Sequence, residues 1–281
     1  MRRYSILWFV SIFAATVTHA ETCDARVFNG AYGFSLSGAT HIGNRVRPAA
    51  VVGRLVVEDS EHLRGVSSAS FMGLVFGNRI TGTYQVQMDC TVSWTFQDSS
   101  GGLQHFAGTM TVDGGRIAFR QTDSGSLQNG IMLRSMKACS EPGLVRTFDF
   151  TASGSTVDLL NPAEGRTVDL QGAVRTDGAH NLAYVSDTGE MPAPAGTYDL
   201  SEDCFVTLVV TLPSGQQPPP AIPGSPSGGV VIPGLPANGQ PTPGLHFRAI
   251  VVDDGRQLLG MQIDPATTVA LRLTSNSSAG I

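Results

Sequence analysis

One pattern occurs twice in this chain with its internal spacing intact, and that repetition limits the folds available to it. Gly82-Thr83-Tyr84 leads to Asp89-Cys90, and Gly196-Thr197-Tyr198 leads to Asp203-Cys204. A His-Phe pair follows each (His105-Phe106, His246-Phe247), then Val112-Asp113-Gly114-Gly115-Arg116 and Val252-Asp253-Asp254-Gly255-Arg256. Gln121 and Asp123 match Gln262 and Asp264, and Arg134 is read as the match of Arg272. A chain of 281 residues with this layout is expected to be two copies of one unit.

The unit reads as all-β. Tyr84, Val86 and Met88 alternate with Thr83, Gln85 and Gln87, the period of a half-buried strand. Short strands of this kind recur: around Ala31–Leu36, Ala50–Glu58, Ser70–Val75, Val92–Gln97, Leu103–Val112, Arg116–Thr122 and Gly130–Ser135, with a parallel series in the second half. No window shows a sustained helical period, and 33 glycines supply turns. Two tandem antiparallel β-barrels are predicted, because a closed barrel leaves no free edge in a chain with no helix to cover one. The units are expected over 21–136 and 145–274, with a short join at 137–144 and a tail at 275–281.

Residues 1–20 read as an export signal: Arg2 and Arg3, an apolar run from Ile6 to Val17, and the cleavage site Thr18-His19-Ala20. That run is too short to span a bilayer comfortably, so no transmembrane anchor is expected. The chain carries 18 Lys+Arg against 23 Asp+Glu, formally -5. It has no basic stripe, so no nucleic-acid partner is expected. Cys23, Cys90, Cys139 and Cys204 are an even set in an exported chain, which points to two disulfides. Cys23–Cys90 with Cys139–Cys204 would make the same bridge once per unit; Cys23–Cys139 with Cys90–Cys204 is the rival pairing. The cysteines lack the short spacing of a zinc site, and neither metal nor cofactor is expected.

Residues 213–244 stand apart, with ten of the sixteen prolines. They form an insertion in a hairpin of the second unit, unable to build a core and read as a tolerated disordered loop, a flap over the barrel mouth or a docking arm for protein contact.

No catalytic signature is present. The groups able to polarise a substrate are Tyr84, Asp89, His105 and Arg134. A buried phenol donates a proton or simply bonds a backbone carbonyl. Asp89 either pairs with Arg134 or caps a turn beside the cysteine. His105 is a base if it faces the barrel, but the adjacent Phe106 points the other way, so only one of the two can face in. Phe71, Trp94, Phe96 and Phe119 are the aromatic residues expected to line a ligand cavity in the first unit, with the second unit, poorer in aromatics, as a packed support. Arg120 beside Gln121 becomes Met261 beside Gln262, so the two interiors are not expected to be equivalent.

The opening Gly30-Ala31-Tyr32-Gly33-Phe34-Ser35-Leu36-Ser37-Gly38, the Gly82-Thr83-Tyr84…Asp89-Cys90-Thr91 block and Val112-Asp113-Gly114-Gly115-Arg116 together resemble exported microbial domains grouped with allene oxide cyclase-like and dirigent-like barrels. The likeness covers the first unit and the second from Gly196 onward. It implies an eight-stranded barrel of calycin-like form. It implies either binding of a small hydrophobic molecule or cofactor-free cyclisation or isomerisation of a reactive hydrophobic intermediate. A purely structural or adhesive exported protein is the remaining reading.

Overall fold

The computed structural model describes residues 22–99, 101–140, 144–157, 165–185, 193–211 and 244–275. The export signal, most of the 213–244 insertion and nearly all of the tail lie outside the described residues.

Eight antiparallel strands close the first barrel in chain order: β1 (Gly30–Ile42), β2 (Arg45–Val57), β3 (His62–Phe71), β4 (Leu74–Val86), β5 (Thr91–Asp98), β6 (Leu103–Met110), β7 (Arg116–Gln121) and β8 (Ser126–Arg134). The second barrel repeats this with β9 (Thr147–Thr156), β10 (Thr167–Thr176), β11 (Asn181–Tyr184), β12 (Ala193–Leu200), β13 (Phe205–Val210), β14 (Leu245–Val252), β15 (Gln257–Gln262) and β16 (Thr267–Ser275). Each barrel closes by pairing its last strand with its first, Tyr32 opposite Arg134 and Phe148 opposite Ser275. The tandem all-β architecture is therefore as the repeat predicts.

Two details differ from the sequence reading. The strand expected at Ser70–Val75 straddles a turn: Met72 and Gly73 separate β3 from β4, both at positive φ. The stretch Ser67-Ser68-Ala69-Ser70 has the small polar residues of a loop, yet it is a strand. Ser68 and Ser70 are buried, and Ser70 Oγ donates to the Thr267 carbonyl of the second barrel at 2.6 Å. The second detail is register. Phe106 lies opposite Gln121 and Phe247 opposite Gln262, while Arg116 lies opposite Leu133 and Gln257 opposite Thr274. This places Arg134 at the position of Ser275 and Arg272 at that of Ile131, so the two arginines are not equivalent, and Gln257 rather than Arg256 corresponds to Arg116.

Strand alternation fills each interior. Inward Tyr32, Phe34, Trp94, Phe96, Phe106, Ile117, Phe119 and Met132 form one apolar cluster in the first barrel. The second cluster includes Phe148, Leu208, Phe247, Leu258 and Leu273, and it also takes in Ala50, Val52 and Leu133 from the first barrel. The barrels thus pack side by side: the outer face of β1, β2 and β8 lies against the outer face of β14–β16. The β15 residues Leu258 to Gln262 are all buried, a strand covered on both faces. A Cβ on Gly33 would collide with the Ile250 and Val252 side chains, so glycine at 33 is what lets the sheets approach.

The disulfides are Cys23–Cys90 and Cys139–Cys204, one per barrel. Cys90 and Cys204 both take φ of 67°, closing the same tight turn through N–H bonds to Gln87 and Ser201 carbonyls. Each bridge ties the segment preceding a barrel across its end; Cys23 N–H donates to Met88 O and Cys139 N–H to Glu202 O.

Candidate functional site

A cavity lies in each barrel among the described residues. The first-barrel cavity has a volume of about 270 Å³ and opens at the end bearing the β3–β4 and β5–β6 turns. Its aromatic wall comes from Phe34, Phe71, Phe76, Phe96 and Phe106, and its polar groups include Asn78, Gln104, Gln121 and Gln128. The second-barrel cavity has a volume of about 170 Å³ and is walled mainly by Phe150, Val174, Leu182, Leu208 and Phe247. Among the described residues that line it, only Gln171 and Tyr184 carry side-chain polar atoms; Gln171 is exposed on the outer face, and Tyr184 spends its hydroxyl on the Thr211 carbonyl at 3.0 Å. β11 pairs with β10 over just three positions, Val174 to Thr176, and Leu170 and Gln171 line the cavity beyond that short ladder.

Aligned positions explain the contrast. Trp94, Phe96, Gln104 and Gln128 of the first barrel become Leu208, Val210, Leu245 and Val269 in the second, while Phe106 and Gln121 persist as Phe247 and Gln262. The second unit is therefore not simply a packed support, because loss of large rings has left an apolar hole. Of the aromatic residues singled out from sequence, Phe71 and Phe96 line the first cavity. Trp94 and Phe119 lie in the ring cluster behind it, Trp94 stacked on Phe106 at 5.4 Å and Phe119 edge-on to Trp94 at 5.0 Å.

The four polar candidates do not converge. Tyr84 points inward at the opposite, closed end, packed edge-on against Phe28 at 4.8 Å, and donates its hydroxyl to the Asp59 carbonyl at 2.7 Å. Burial pushes its phenol pKa up, and the nearby Asp59 carboxylate adds to this, so the hydroxyl stays a donor. Asp89 is exposed and accepts the Thr91 N–H at 3.0 Å, a turn cap that holds its carboxyl below the usual range. Arg134 donates to the Val27 and Asp113 carbonyls and lies 5.7 Å from the Tyr32 ring centre. No ion pair joins it to Asp89 among the described residues. His105 faces outward, because Phe106 faces in.

His105 is engaged nonetheless, in a unit that both barrels build identically. Asp123 accepts the His105 backbone N–H at 3.0 Å, meets its Nδ1 at 2.7 Å and accepts Gln121 Nε2 at 2.8 Å. Asp264 does the same with His246 N–H at 2.8 Å, His246 Nδ1 at 2.7 Å and Gln262 Nε2 at 2.7 Å. The sequence showed these residues repeating; their closure into one clasp between neighbouring strands was not legible. The glutamines at 104 and 128 were missed altogether, although each falls on the inward parity of Phe106 and Met132.

The clasp titrates. The hydrogen bond to Asp264 raises the His246 pKa above its ordinary 6.5, against the opposing pull of burial. A raised folded-state value means that its stabilisation is complete below about pH 6.5 and is lost as pH climbs through the folded value. At Asp123 burial pulls the pKa up, but the bonds from His105 and Gln121 outweigh it and leave the carboxyl below 3.8. That contribution is complete above pH 3.8 and is lost as pH falls through the folded value. We expect second-barrel stability to drop by at most about 1 kcal/mol between pH 6 and 9, after discounting for solvent screening. Denaturant titrations of the native chain and of His246→Asn check this; the variant should lose the slope, and an unchanged slope contradicts the assignment.

No protein-family model matches the chain, and no curated protein matches it.

Proposed function

We propose that this is an exported binding protein that holds a small apolar molecule inside its second barrel. The observation that carries the reading is the 170 Å³ cavity walled by leucine, valine and phenylalanine. A sealed apolar hole of about 150 Å³ takes up molecules of benzene size, and this cavity matches it in size and lining while being partly open to the surface. Orientation inside it would rest on shape, set by the surrounding phenylalanine, leucine and valine side chains. Two disulfides and the apolar leader at residues 6–17 support assignment to an oxidising, extracytoplasmic compartment. No helix among the described residues is long and apolar enough to cross a membrane. The closed eight-stranded barrels fit the allene oxide cyclase-like and dirigent-like resemblance in form. Turnover of that kind would need polar groups facing the reacting molecule, and Tyr84, Asp89, His105 and Arg134 line neither cavity.

Native mass spectrometry of the purified protein, followed by denaturing extraction, tests this directly. A co-purified apolar molecule, or saturable uptake from a panel running from benzene to monoterpenes, is the expected result. Ala152 lines the hole where the first barrel has Leu36, so Ala152→Leu should fill part of it and weaken uptake by at least about tenfold. A protein that arrives empty and takes up nothing from the panel would rule the reading out.

A further inference from the structure

We propose that the mouth of the first barrel is a second binding site, for a neutral polyhydroxylated ligand with one apolar face, the chemistry of a pyranose sugar. This site lies in a different barrel from the apolar cavity and does not depend on it. Among the described residues its lining carries no lysine, arginine or histidine, so it offers an anion no charge partner. Asp98 is the one charged residue among the described residues of the lining, and its carboxylate accepts the Gly102 N–H of its own turn at 2.9 Å. A wholly apolar occupant would strip water from the glutamine amides and return no hydrogen bonds. Hydroxyl groups, which both donate and accept, match amides, and the C–H face of a sugar ring matches phenylalanine.

The amides are held in place before any ligand arrives. Gln121 gives Nε2 to Asp123, and its Oε1 accepts Ser126 Oγ at 3.0 Å and Gln128 Nε2 at 2.8 Å. Asp123 is in turn clamped by His105 on the outer face. Gln128 is only 7% exposed, and among the described residues its Oε1 accepts no hydrogen bond. Fixing polar groups in advance removes part of the ordering cost of binding. At the rim, Phe76 keeps 40% of its surface exposed, an apolar face left to water beside the amides. The barrel itself does not need these glutamines, because the second barrel closes with Leu245 and Val269 in the places of Gln104 and Gln128.

Trp94 supplies the readout. From residue 21 onward it is the only tryptophan, and it stacks on Phe106, which lines the cavity. Titration with methyl β-glucoside, methyl N-acetyl-β-glucosaminide and cellobiose should produce a saturable change in Trp94 fluorescence, with a Kd of about 1 mM or tighter for at least one of them. Cellobiose binding more tightly than either monosaccharide identifies a glycan chain as the source, and the reverse identifies a free sugar. The double variant Gln104→Leu/Gln128→Val, which copies the second barrel, should weaken binding by at least about tenfold, as should Phe76→Ala at the exposed rim. Circular dichroism establishes that both variants fold. Ala152→Leu in the second barrel should leave the sugar response unchanged. The proposal is overturned if no sugar saturates the signal, if folded variants bind like the native chain, if Ala152→Leu abolishes the response, or if tetramethylammonium saturates the signal and the sugars do not.

Discussion

Replacing Cys23 and Cys90 together with serine should lower the unfolding free energy by about 4 kcal/mol, and so should the Cys139/Cys204 pair. The bridges close loops of 67 and 65 residues, and a loop of that size carries a large unfolded-state entropy that the bond removes. Cys90 and Cys204 are also buried at the barrel ends. The first bridge does more than restrict the unfolded chain. It pins the segment that carries Phe28, which is 2% exposed and packs on Tyr32 and Tyr84 at the closed end. Chemical denaturation with and without reductant measures the effect. If both serine pairs unfold within 1 kcal/mol of the native chain, the bridges would have to be incidental to stability, contrary to this account.

Trp94→Ala should cost about 4 kcal/mol, whereas Trp94→Phe should cost less than half of that. The indole is 3% exposed and contacts the rings of Phe96, Phe106 and Phe119, so truncation to alanine opens a large void in the middle of the first barrel. Phenylalanine keeps most of that packing and removes a liability. Among the described residues the buried Trp94 Nε1–H has no acceptor, and an unmet donor in an apolar core is itself costly. Equal losses for the two substitutions, in urea titrations followed by circular dichroism, would contradict this division between ring packing and the orphaned donor.

Most of the architecture was legible in sequence because period-two alternation and glycine turns are local signals. The duplicated cysteines separated the correct pairing from its rival by symmetry alone. β3 was misplaced because Ser68 and Ser70 are buried by another barrel, a tertiary fact that makes a polar stretch compatible with a strand. The arginines at 134 and 272 were mismatched because sequence likeness followed residue type, whereas hydrogen-bond register fixes position. The site was harder. Outward His105 and inward Phe106 followed from parity once the facing of either was known. The clasp on Asp123, by contrast, depends on a turn folding back across a neighbouring strand. Gln104 and Gln128 were overlooked because a polar residue on an inward parity reads as noise until a cavity is seen beside it.

The contact between barrels joins unlike faces, β1, β2 and β8 of one copy to β14–β16 of the next, and such a head-to-tail joint leaves a complementary face unused at each end of the pair. Repeated from copy to copy, a joint of this kind builds a ring or a filament. The two unused faces do not carry the residues of the joint. Where β14 and β15 present Ile250, Val252, Leu259 and Met261 to the joint, the equivalent strands of the first barrel carry exposed Thr109, Thr111, Ala118 and Arg120. Where β1 and β2 offer Gly33, Ala50 and Val52, the second barrel turns Asp149, Asp169 and Gln171 to solvent. The two copies have diverged so that neither outer face repeats the apolar surface that its counterpart brings to the joint.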